Sequence, residues 1–293
     1  MLDTGRRSVI SPPLVQSRLD GHPFGDPLIH IPSCESTNDV LWVEIKRGAG
    51  MGTVVTADCQ TLGRGRSGSR WISPVGKDLL VSVATPWEES QPSGYLSIWA
   101  AVSVAEMLIR GADVGVSLKW PNDVIVNRRK IGGVMAETKA GYSLAVVGIG
   151  LNVSSRDSDR PPELRDRAIS LCEVRDRAWD RNILLAGLLN ALGEWWQRLD
   201  REGWPVLYRR WLDLCSTVGC PVRVTYRGGI LAGIVEGIDL DGCLMLREMD
   251  GRQRRFHPWE ITGLVPLEEL PENRMSSSHE RKKNNAGGTE SSR

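Results

Sequence analysis

The stretch GRGRSGSRW, residues 63–71, decides between two kinds of fold. Its glycines match the G-x-G-x-x-G pattern of dinucleotide-binding folds, but that pattern needs a strand before it and a helix after it. The preceding TVVTAD, residues 53–58, is β-branched and apolar, as a strand requires. The residues that follow include Pro74 and Gly76, which disfavour a helix, and then DLLVSVAT, residues 78–85, predicts a second strand. The sequence therefore predicts a loop rich in glycine and arginine between two strands, and not a Rossmann unit.

The composition is that of an ordinary soluble globular protein. The chain has 293 residues, of which 41% are hydrophobic and 25% are charged, and its net charge is +1. A charge near zero gives no electrostatic case for binding nucleic acid or a membrane surface, and no stretch has the ~20 apolar residues of a membrane span. The N-terminus has no apolar run typical of a signal peptide. The six cysteines form no C-x-x-C pair, which predicts reduced thiols and a cytoplasmic location.

The pattern along the chain predicts four parts. Residues 1–27 contain four prolines and little periodicity, so we expect an irregular leader that is too short for a helix-turn-helix module. Residues 28–214 mix strand-like and helix-like segments and form the expected main domain. Residues 215–270 contain short strand-like runs joined by glycine turns, which predicts a small SH3-like β-barrel. Residues 271–293 are rich in Ser, Lys, Asn and Gly and are expected to be disordered.

Several helices of the main domain have recognisable start signals. Ser36, with Asp39 three residues later, fits a capping box before an apolar run. Residues 94–111 are mostly apolar and predict a buried helix. Asp180 is a typical cap for the long amphipathic helix after it, and Pro205 is favoured in the first turn of a shorter one. Together with the predicted strands, these helices indicate an α+β fold.

Three more motifs lie on neighbouring predicted strands: KWPNDV (119–124), KIGGVMAE (130–137) and GIGLNV (148–153). The first has the composition of a turn, and the other two place glycines inside strands, where glycine is costly unless a ligand or backbone comes close. Each motif has a simpler interpretation alone, such as an Asx turn or, for the arginine loop, a solvated basic hairpin tip. Together they predict a sheet face that holds an anionic small molecule, because cations and amides gather there.

This set of motifs resembles the biotin protein ligases. That family has a loop G-R-G-R-x-G-R-x-W followed by Ser-Pro and a glycine, and this chain has GRGRSGSRWISPVG at residues 63–76. The family's K-W-P-N-D, K-[IL]-[AG]-G-[IV]-x-x-E and G-[IA]-G-[IL]-N motifs occur here in the same order. Ser36-Thr37-Asn38 matches the Ser-Thr-Asn before the family's first helix, and Gln60 its glutamine before the loop. The resemblance spans about residues 30–270, and its ordered motifs are far more specific together than any one.

The resemblance implies a fold, a reaction and a set of substrates. The fold is α+β, a mixed-sheet catalytic domain of the biotin/lipoate ligase, class II synthetase-like type with a small C-terminal barrel. In the reaction, the carboxylate of biotin attacks the α-phosphate of ATP and gives biotinyl-AMP. A lysine of a biotin carboxyl carrier protein then takes the biotin as an amide. Mg²⁺ is the expected ion.

The resemblance also implies a role for each matching residue. Lys130, Arg64 and Arg66 would neutralise two converging anions, and Asp123 would orient or deprotonate the carrier lysine. The expected biotin-binding residues are Ser36, Thr37, Asn38, Gln60, Arg64, Gly65, Arg66, Lys130, Gly132 and Gly133. The expected ATP-binding residues are Arg66, Trp71, Asn122, Lys130 and Asn152. The metal ligands are not predicted.

Two loop positions depart from the family pattern, and other functions compete with this one. Ser69 stands where the family usually has arginine, and Ser67 where it often has one, so we expect altered loop dynamics and adenylate retention. A lipoate ligase or octanoyltransferase is the nearest alternative, and the arginine-glycine loop and the C-terminal strands favour biotin. Near-zero charge and the short leader argue against a DNA-binding regulator and favour the monofunctional type of ligase. The intact lysine and arginines argue against a silent binding module. The family suggests a homodimer, with no nucleic-acid or membrane partner.

Overall fold

The larger part of the molecule is a seven-stranded sheet. The computed structural model describes residues 9–88, 90, 91 and 94–267. The strand order is β1-β2-β3-β7-β6-β5-β4, with β1 parallel to β2 and all other neighbours antiparallel, so the sheet is mixed as expected. The strands are β1 (Leu28–Ile31), β2 (Val54–Ala57), β3 (Leu79–Pro86), β4 (Ser117–Lys119), β5 (Asp123–Val126), β6 (Arg129–Glu137) and β7 (Leu144–Leu151).

Two long helices cover one face of this sheet. The helices are α1 (Pro12–Gln16), α2 (Thr37–Lys46), α3 (Tyr95–Ala112), α4 (Pro162–Arg165), α5 (Leu171–Val174), α6 (Arg181–Glu202) and α7 (Trp204–Leu214). α3 packs between the sheet and α6, and burying each of its large apolar side chains contributes ~1.5–3 kcal/mol. Of the described helices, α3 has the length and apolarity to cross a membrane, but 72% of it is buried inside the fold, as in a core helix. Asp180 caps α6 by accepting from the Asn182 N–H, which confirms that start signal.

The opposite face is only partly covered, and this creates a hollow. α2 contacts β2, β3 and β7 there, over a small core that includes Trp42, Ala84 and Val146. Because side chains alternate along a strand, Gly148 and Gly150 face the same way as Val146. These two positions have no side chain, so the face beyond α2 is left open.

The C-terminal part is a second, five-stranded antiparallel sheet, and it is present where the small β domain is expected. Its order is β11-β10-β9-β8-β12. Trp120, which is buried, joins it to the larger part: its indole N–H donates to the Gly242 carbonyl at 2.9 Å, and its backbone N–H donates to Thr217 Oγ1 at 2.9 Å. The strands are β8 (Pro221–Tyr226), β9 (Gly229–Ile238), β10 (Leu244–Glu248), β11 (Gln253–Phe256) and β12 (Ile261–Pro266).

The segment 9–27 differs from the irregular leader that the sequence predicts. It contains α1, and its side chains Ile10, Val15 and Phe24 are buried in the main core. The Ser11 N–H also donates to Asn182 Oδ1 of α6 at 2.7 Å. Apolar residues spaced this unevenly give no periodic signal, which is why the sequence does not predict their burial.

The prediction of a capping box at the start of α2 is also wrong. Ser36 precedes the helix in extended conformation, but its side chain accepts no capping hydrogen bond, and Asp39 pairs with Arg64 instead. Residues 271–293, which are expected to be disordered, lie outside the described residues.

Candidate active site

A cavity of about 380 Å³ lies in the hollow beside α2, and most of the expected site residues line it. The lining comes from the start of α2, the loop 63–71, the turn before β5, strands β6 and β7, and residues 261–265 of the C-terminal sheet. This cavity therefore brings together residues of four motifs that are far apart in the sequence. The expected residues in its wall are Ser36, Thr37, Asn38, Gln60, Arg64, Gly65, Arg66, Trp71, Asn122, Asp123, Lys130 and Gly133.

Two expected residues do not line this cavity. Gly132 packs inside the sheet, where an added Cβ would lie 3.0 Å from the Gly150 carbonyl oxygen and 3.6 Å from Val124. The Asn152 side chain is nearly buried and donates to the Ile169 carbonyl at 3.0 Å, while lining a second cavity described below. Gly132 is therefore a packing glycine, because successive strand residues face opposite sides of a sheet and Gly133 takes the cavity side.

One end of the cavity is closed by uncharged polar side chains that form a hydrogen-bonded network. Gln60 Oε1 accepts from the Thr37 backbone N–H at 2.8 Å and lies 3.0 Å from Thr37 Oγ1. Ser82 Oγ on β3 lies 2.7 Å from Thr37 Oγ1 and 2.6 Å from Asn38 Oδ1. A Cβ at position 148 would lie 2.5 Å from that Asn38 oxygen, so glycine is required there. Uncharged donors and acceptors of this kind suit a neutral polar ring.

One wall of the cavity is the Trp71 indole, which lies against the glycines of β6 and β7. A Cβ added at Gly150 would be 2.5 Å from Trp71 Cε2, and one at Gly133 would be 3.3 Å from Cζ3. Lys130 Nζ lies 5.6 Å from the centre of the same ring, within the range of a cation–π contact. The close approach of Trp71 thus explains one glycine in each strand motif, Gly133 on β6 and Gly150 on β7.

Lys130 forms the central ion pair of the site. Its Nζ is 2.5 Å from Asp123 Oδ1, and both side chains are about one third exposed, at 36% and 28%. The Lys130 backbone is fixed on both sides, because its N–H donates to the Arg167 carbonyl at 2.8 Å and its carbonyl accepts from the Ile169 N–H at 3.0 Å. Asn122 holds the preceding turn by donating to the Val134 carbonyl at 2.5 Å. The lysine is therefore presented from a rigid strand and retains access to a ligand.

Arg64 lines the cavity, but its guanidinium is held by two carboxylates. It contacts Asp39 with both terminal nitrogens, at 2.5 and 2.8 Å, and Glu137 at 3.1 Å. The hydrogen bond with Arg64 lowers the pKa of Asp39, and the bond with Asp39 raises the pKa of Arg64. Glu137 also accepts from the Trp42 indole at 3.0 Å. This arrangement anchors the glycine loop to α2 and β6, while the positive charge of Arg64 is largely compensated.

Arg66 reaches in the other direction, toward the C-terminal sheet. Its guanidinium donates to the carbonyl of Pro258, next to β12. Burial lowers the pKa of Arg66, with the opposing influence of the Asp123 charge. Arg66 thus links the loop to the part of the chain that also lines the cavity through residues 261–265. Sequence analysis does not predict this participation of the C-terminal sheet, since its strands carry no recognisable site motif.

The glycine loop has a defined internal structure. The Gly65 N–H donates to the Ser69 carbonyl at 2.8 Å, and the Trp71 N–H donates to the Gly63 carbonyl at 2.9 Å. Gly68 has φ +77°, a conformation that favours glycine. A Cβ at Gly65 would be 2.4 Å from Ser69 Oγ, so the serine that departs from the family pattern packs directly on the loop backbone.

A second, larger cavity of about 1070 Å³ adjoins the first. Both cavities share Lys130, Asp123, Trp71 and Arg167 among their lining residues. Its lining holds more basic side chains than carboxylates, which suits an anion with several charges. The basic side chains are Arg70, Lys119, Arg128, Arg129, Lys130 and Arg167, together with the nearly buried Arg160, which pairs with Glu173; the carboxylates are Asp123, Asp159 and Asp166.

The described residues hold no ready metal site. No three His, Cys, Asp or Glu side chains gather among them, and Asp123 is the one carboxylate in the described lining of the smaller cavity. Mg²⁺ in nucleotide reactions is usually held by substrate phosphates with one or two carboxylates. An ion at this site would therefore have to be held mainly by the phosphates of a bound nucleotide.

Sequence reasoning missed Ser82 and Arg167. Ser82 is fully buried in the core of the polar network, and its one signal is a single hydroxyl inside the apolar run LLVSVA. Arg167 lies in a charged segment with no motif, and only the pairing of its backbone with Lys130 brings it to the site.

Comparison with known proteins agrees with this geometry. Residues 30–154 match the biotin/lipoate A/B protein ligase family, and residues 217–257 match the biotin protein ligase C-terminal domain. A biotin–[acetyl-CoA-carboxylase] ligase of Mycobacterium tuberculosis is 33% identical over 228 residues, which are 74% of this chain and 81% of the relative. One from Paracoccus denitrificans is 31% identical over 205 residues, 68% of this chain and 85% of the relative.

A solved structure gives the same result for the fold. The biotin protein ligase from Aquifex aeolicus in complex with biotin and ATP aligns with a TM-score of 0.72 and 28% identity, over 82% of this chain and 98% of that one. The fold, the two matched domains and the identity to named ligases agree with the motifs gathered around Lys130. The chain belongs to the biotin protein ligase family.

Proposed function

We propose that this protein is a ligase that activates biotin with ATP to biotinyl-5′-AMP and transfers the biotin to a lysine of a biotin carboxyl carrier protein. The observation that carries the proposal is the position of Lys130 and Asp123 at the junction of two cavities. The smaller cavity ends in neutral amides and hydroxyls, which suit the urea-containing ring of biotin. The larger cavity has more cations than carboxylates in its lining, which suits a nucleoside triphosphate.

In the first step, an oxygen of the biotin carboxylate attacks the α-phosphorus of ATP, the bond to the bridging oxygen breaks, and pyrophosphate leaves. Two anions must approach each other, so a cation between them lowers the barrier. Lys130 is placed for this because it belongs to both cavities. Arg66 is the second candidate, and Arg64 contributes mainly by holding the loop, since its charge is compensated by Asp39 and Glu137. Mg²⁺, when bound with the phosphates, would supply further neutralisation.

In the second step, the carrier lysine attacks the carbonyl carbon of the mixed anhydride, AMP leaves, and an amide forms. The attacking amine must be neutral, so its proton has to be accepted. Asp123 is bound to Lys130 in this structure, and an anion that attracts Lys130 would free the carboxylate for the incoming amine. The same pair would thus serve both steps in turn.

We assign the remaining residues by where they lie. Ser36, Thr37, Asn38 and Gln60 would hold the biotin ring, with Gly65 and Gly133 admitting its chain. Trp71 would form the wall between biotin and nucleotide, with Asn152 on the nucleotide side. Asn122 and Gly132 would support the site through the backbone. We propose a cytoplasmic enzyme, which the six free cysteines support, and a homodimer, as the family suggests.

The direct test is to incubate the protein with ATP, Mg²⁺ and labelled biotin, and to look for labelled biotinyl-AMP and released pyrophosphate. Adding a carrier domain should then move the label to protein. Absence of both products from a folded sample would contradict the proposed function, and replacing biotin with lipoate tests the nearest alternative.

A further inference from the structure

Ser82 is a buried hydroxyl beneath the closed end of the smaller cavity. It lies on β3, is 0% exposed, and contacts two of the residues that would hold the biotin ring. It does not line the cavity itself, so any effect on a ligand must act through Thr37 and Asn38. A buried hydroxyl with two polar neighbours has a single proton to donate, and this restricts how the network can be arranged.

The direction of the hydrogen bonds in this network is set at the Gln60 end. The backbone N–H of Thr37 can only donate, and at 2.8 Å it requires an oxygen at the Gln60 position it contacts. Thr37 Oγ1 lies 3.0 Å from the same oxygen, and this contact between two oxygens is favourable only when the Thr37 proton is directed to Gln60. Thr37 Oγ1 can then only accept from Ser82, 2.7 Å away, and this uses the one proton of Ser82.

Asn38 must complete the chain as a donor. With its proton committed to Thr37, Ser82 Oγ acts toward Asn38 only as an acceptor, and two acceptors 2.6 Å apart repel each other. The nitrogen and oxygen of an asparagine amide exchange places by a half turn, with almost no change in shape. When Nδ2 of Asn38 faces Ser82, every contact in the network has a donor. Asn38 donates to Ser82, Ser82 donates to Thr37, and Thr37 donates to Gln60.

We propose that Ser82 is a positioning residue that turns the Asn38 amide oxygen toward the cavity. The site then presents an acceptor, Asn38 Oδ1, and a donor, Gln60 Nε2, which has no partner among the described residues. That pair matches a ring N–H next to a C=O, as in a cyclic urea. Without Ser82, Asn38 is free to present its NH₂ instead, and the site would recognise only a carbonyl.

This inference rests on the proposed function, and it explains why the site would prefer a ring that contains a urea. A ligand ring without an N–H leaves the buried Asn38 oxygen unpaired, which is costly. The inference therefore predicts a measurable penalty for ligands that lack one ring proton.

The test compares biotin with two cyclic carbamate analogues, in which one or the other ring N–H is replaced by oxygen. Binding to the wild type, Ser82→Ala and Thr85→Val is measured by calorimetry. Thr85 is the matched control because it is a buried β3 residue whose hydroxyl has no hydrogen-bond partner among the described residues. The wild type should bind one carbamate about 10–100-fold more weakly than biotin, the range for an unpaired buried group.

Ser82→Ala should bind biotin about 10-fold more weakly, and its preference for biotin over that carbamate should shrink by a similar factor. The KM for ATP should stay unchanged, and Thr85→Val should match the wild type in both respects. An unchanged preference in Ser82→Ala, or equal binding of biotin and both carbamates by the wild type, would overturn the inference.

Thermal melting checks that each variant is folded. If Ser82→Ala does not fold, Ser82→Cys retains the side-chain volume and should show an intermediate preference for biotin. An unchanged preference in Ser82→Cys would also overturn the inference. A wild type that neither binds biotin nor forms its adenylate would instead refute the proposed function.

Discussion

Lys130 Nζ lies 2.5 Å from Asp123 Oδ1 where the two cavities meet. Without an anion in the site, each of these charges neutralises the other. An arriving carboxylate or phosphate competes with Asp123 for the lysine, so ligand binding itself would release the carboxylate. In this way the binding of biotin and ATP would prepare Asp123 to accept a proton from the carrier lysine.

Lys130→Ala should reduce the formation of biotinyl-AMP by about 10²–10³-fold, because one strong contact to developing negative charge is lost. The measurement is pyrophosphate release with saturating biotin and ATP. Lys46→Ala, which removes an exposed lysine at the end of α2, is the control and should be fully active. Near-normal adenylation by a folded Lys130→Ala protein would mean that the lysine only supports the structure.

Asp123→Asn should separate the two half-reactions. The amide keeps the size of the side chain but cannot accept the proton of the carrier amine, so transfer should slow by about 10²-fold. Adenylate formation should persist, since Lys130 remains. Each half-reaction is followed by single-turnover kinetics with labelled biotin. Equal slowing of both steps would place Asp123 on the metal or in the fold instead.

Arg66→Gly should weaken retention of biotinyl-AMP more than it weakens binding of biotin. The arginine joins the glycine loop to the Pro258 carbonyl, and without it the loop loses its link to the C-terminal sheet. Released adenylate acylates any amine, so serum albumin mixed with enzyme, ATP and biotin should become biotinylated, as a blot would show. Arg47→Gly at the end of α2 is the control, because Arg47 is exposed and is absent from the described lining of both cavities. If Arg66→Gly labels albumin no more than the wild type, Arg66 does not close the site.

Gly150→Ala should block the biotin cavity. The added methyl group would lie 2.5 Å from the Trp71 ring, so the indole must move into the space that the ligand needs. We expect the Kd for biotin to rise at least about 10-fold, as for overpacking that costs ~1–3 kcal/mol. Gly237→Ala on β9 is the control, since no atom of the part of the chain that the structure describes lies within 4 Å of its added Cβ. Calorimetry that finds unchanged biotin affinity in Gly150→Ala would contradict the role assigned to Trp71.

The Asp39–Arg64 pair predicts a small pH-dependent stability. Arg64 lowers the folded-state pKa of Asp39 below its unfolded value of about 3.9. The pair therefore stabilises the fold above that pH, and the contribution is lost as the pH falls through the lowered pKa. Both side chains are more than one third exposed, so Asp39→Asn should cost less than about 1 kcal/mol at pH 7.

Urea unfolding of the wild type and Asp39→Asn at pH 7 and pH 3 measures this effect. The difference in free energy of unfolding should narrow at the lower pH. Asp176→Asn, at an exposed residue with no ion pair among the described residues, should show no difference at either pH. A gap that widens toward pH 3 would contradict the assignment.

Much of the fold follows from the sequence because the determining signals are local. Strand patterns around the loop 63–71, the Asp180 cap and the apolar run of α3 each specify their element without tertiary information. The segment 9–27 could not be predicted this way, since Ile10 and Phe24 are buried by contacts with distant helices. Ser36 is likewise a residue type that often caps helices. The predicted capping box does not form because Asp39 pairs with Arg64, 25 positions later in the chain.

The site divides in the same manner. The motifs give Lys130, Asp123 and the loop arginines as candidates, because the resemblance to a known family implies a role for each. They do not reveal that Arg64 is held by carboxylates or that Gly132 faces away from the cavity, since both depend on how strands pair. Ser82 and the participation of residues 261–265 require the tertiary structure, because only packing brings them to the cavity and its network.

The central claim is that one site performs activation and transfer in sequence, through a bound adenylate. The most direct test is a pulse–chase experiment: the enzyme is loaded with labelled biotin, ATP and Mg²⁺, separated from free nucleotide, and chased with a carrier domain in the absence of ATP. The label should pass from the enzyme to a single carrier lysine during the chase, and Asp123→Asn should retain its label about 10²-fold longer. Label that never co-purifies with the enzyme, or that moves to the carrier only when ATP is added again, would contradict it.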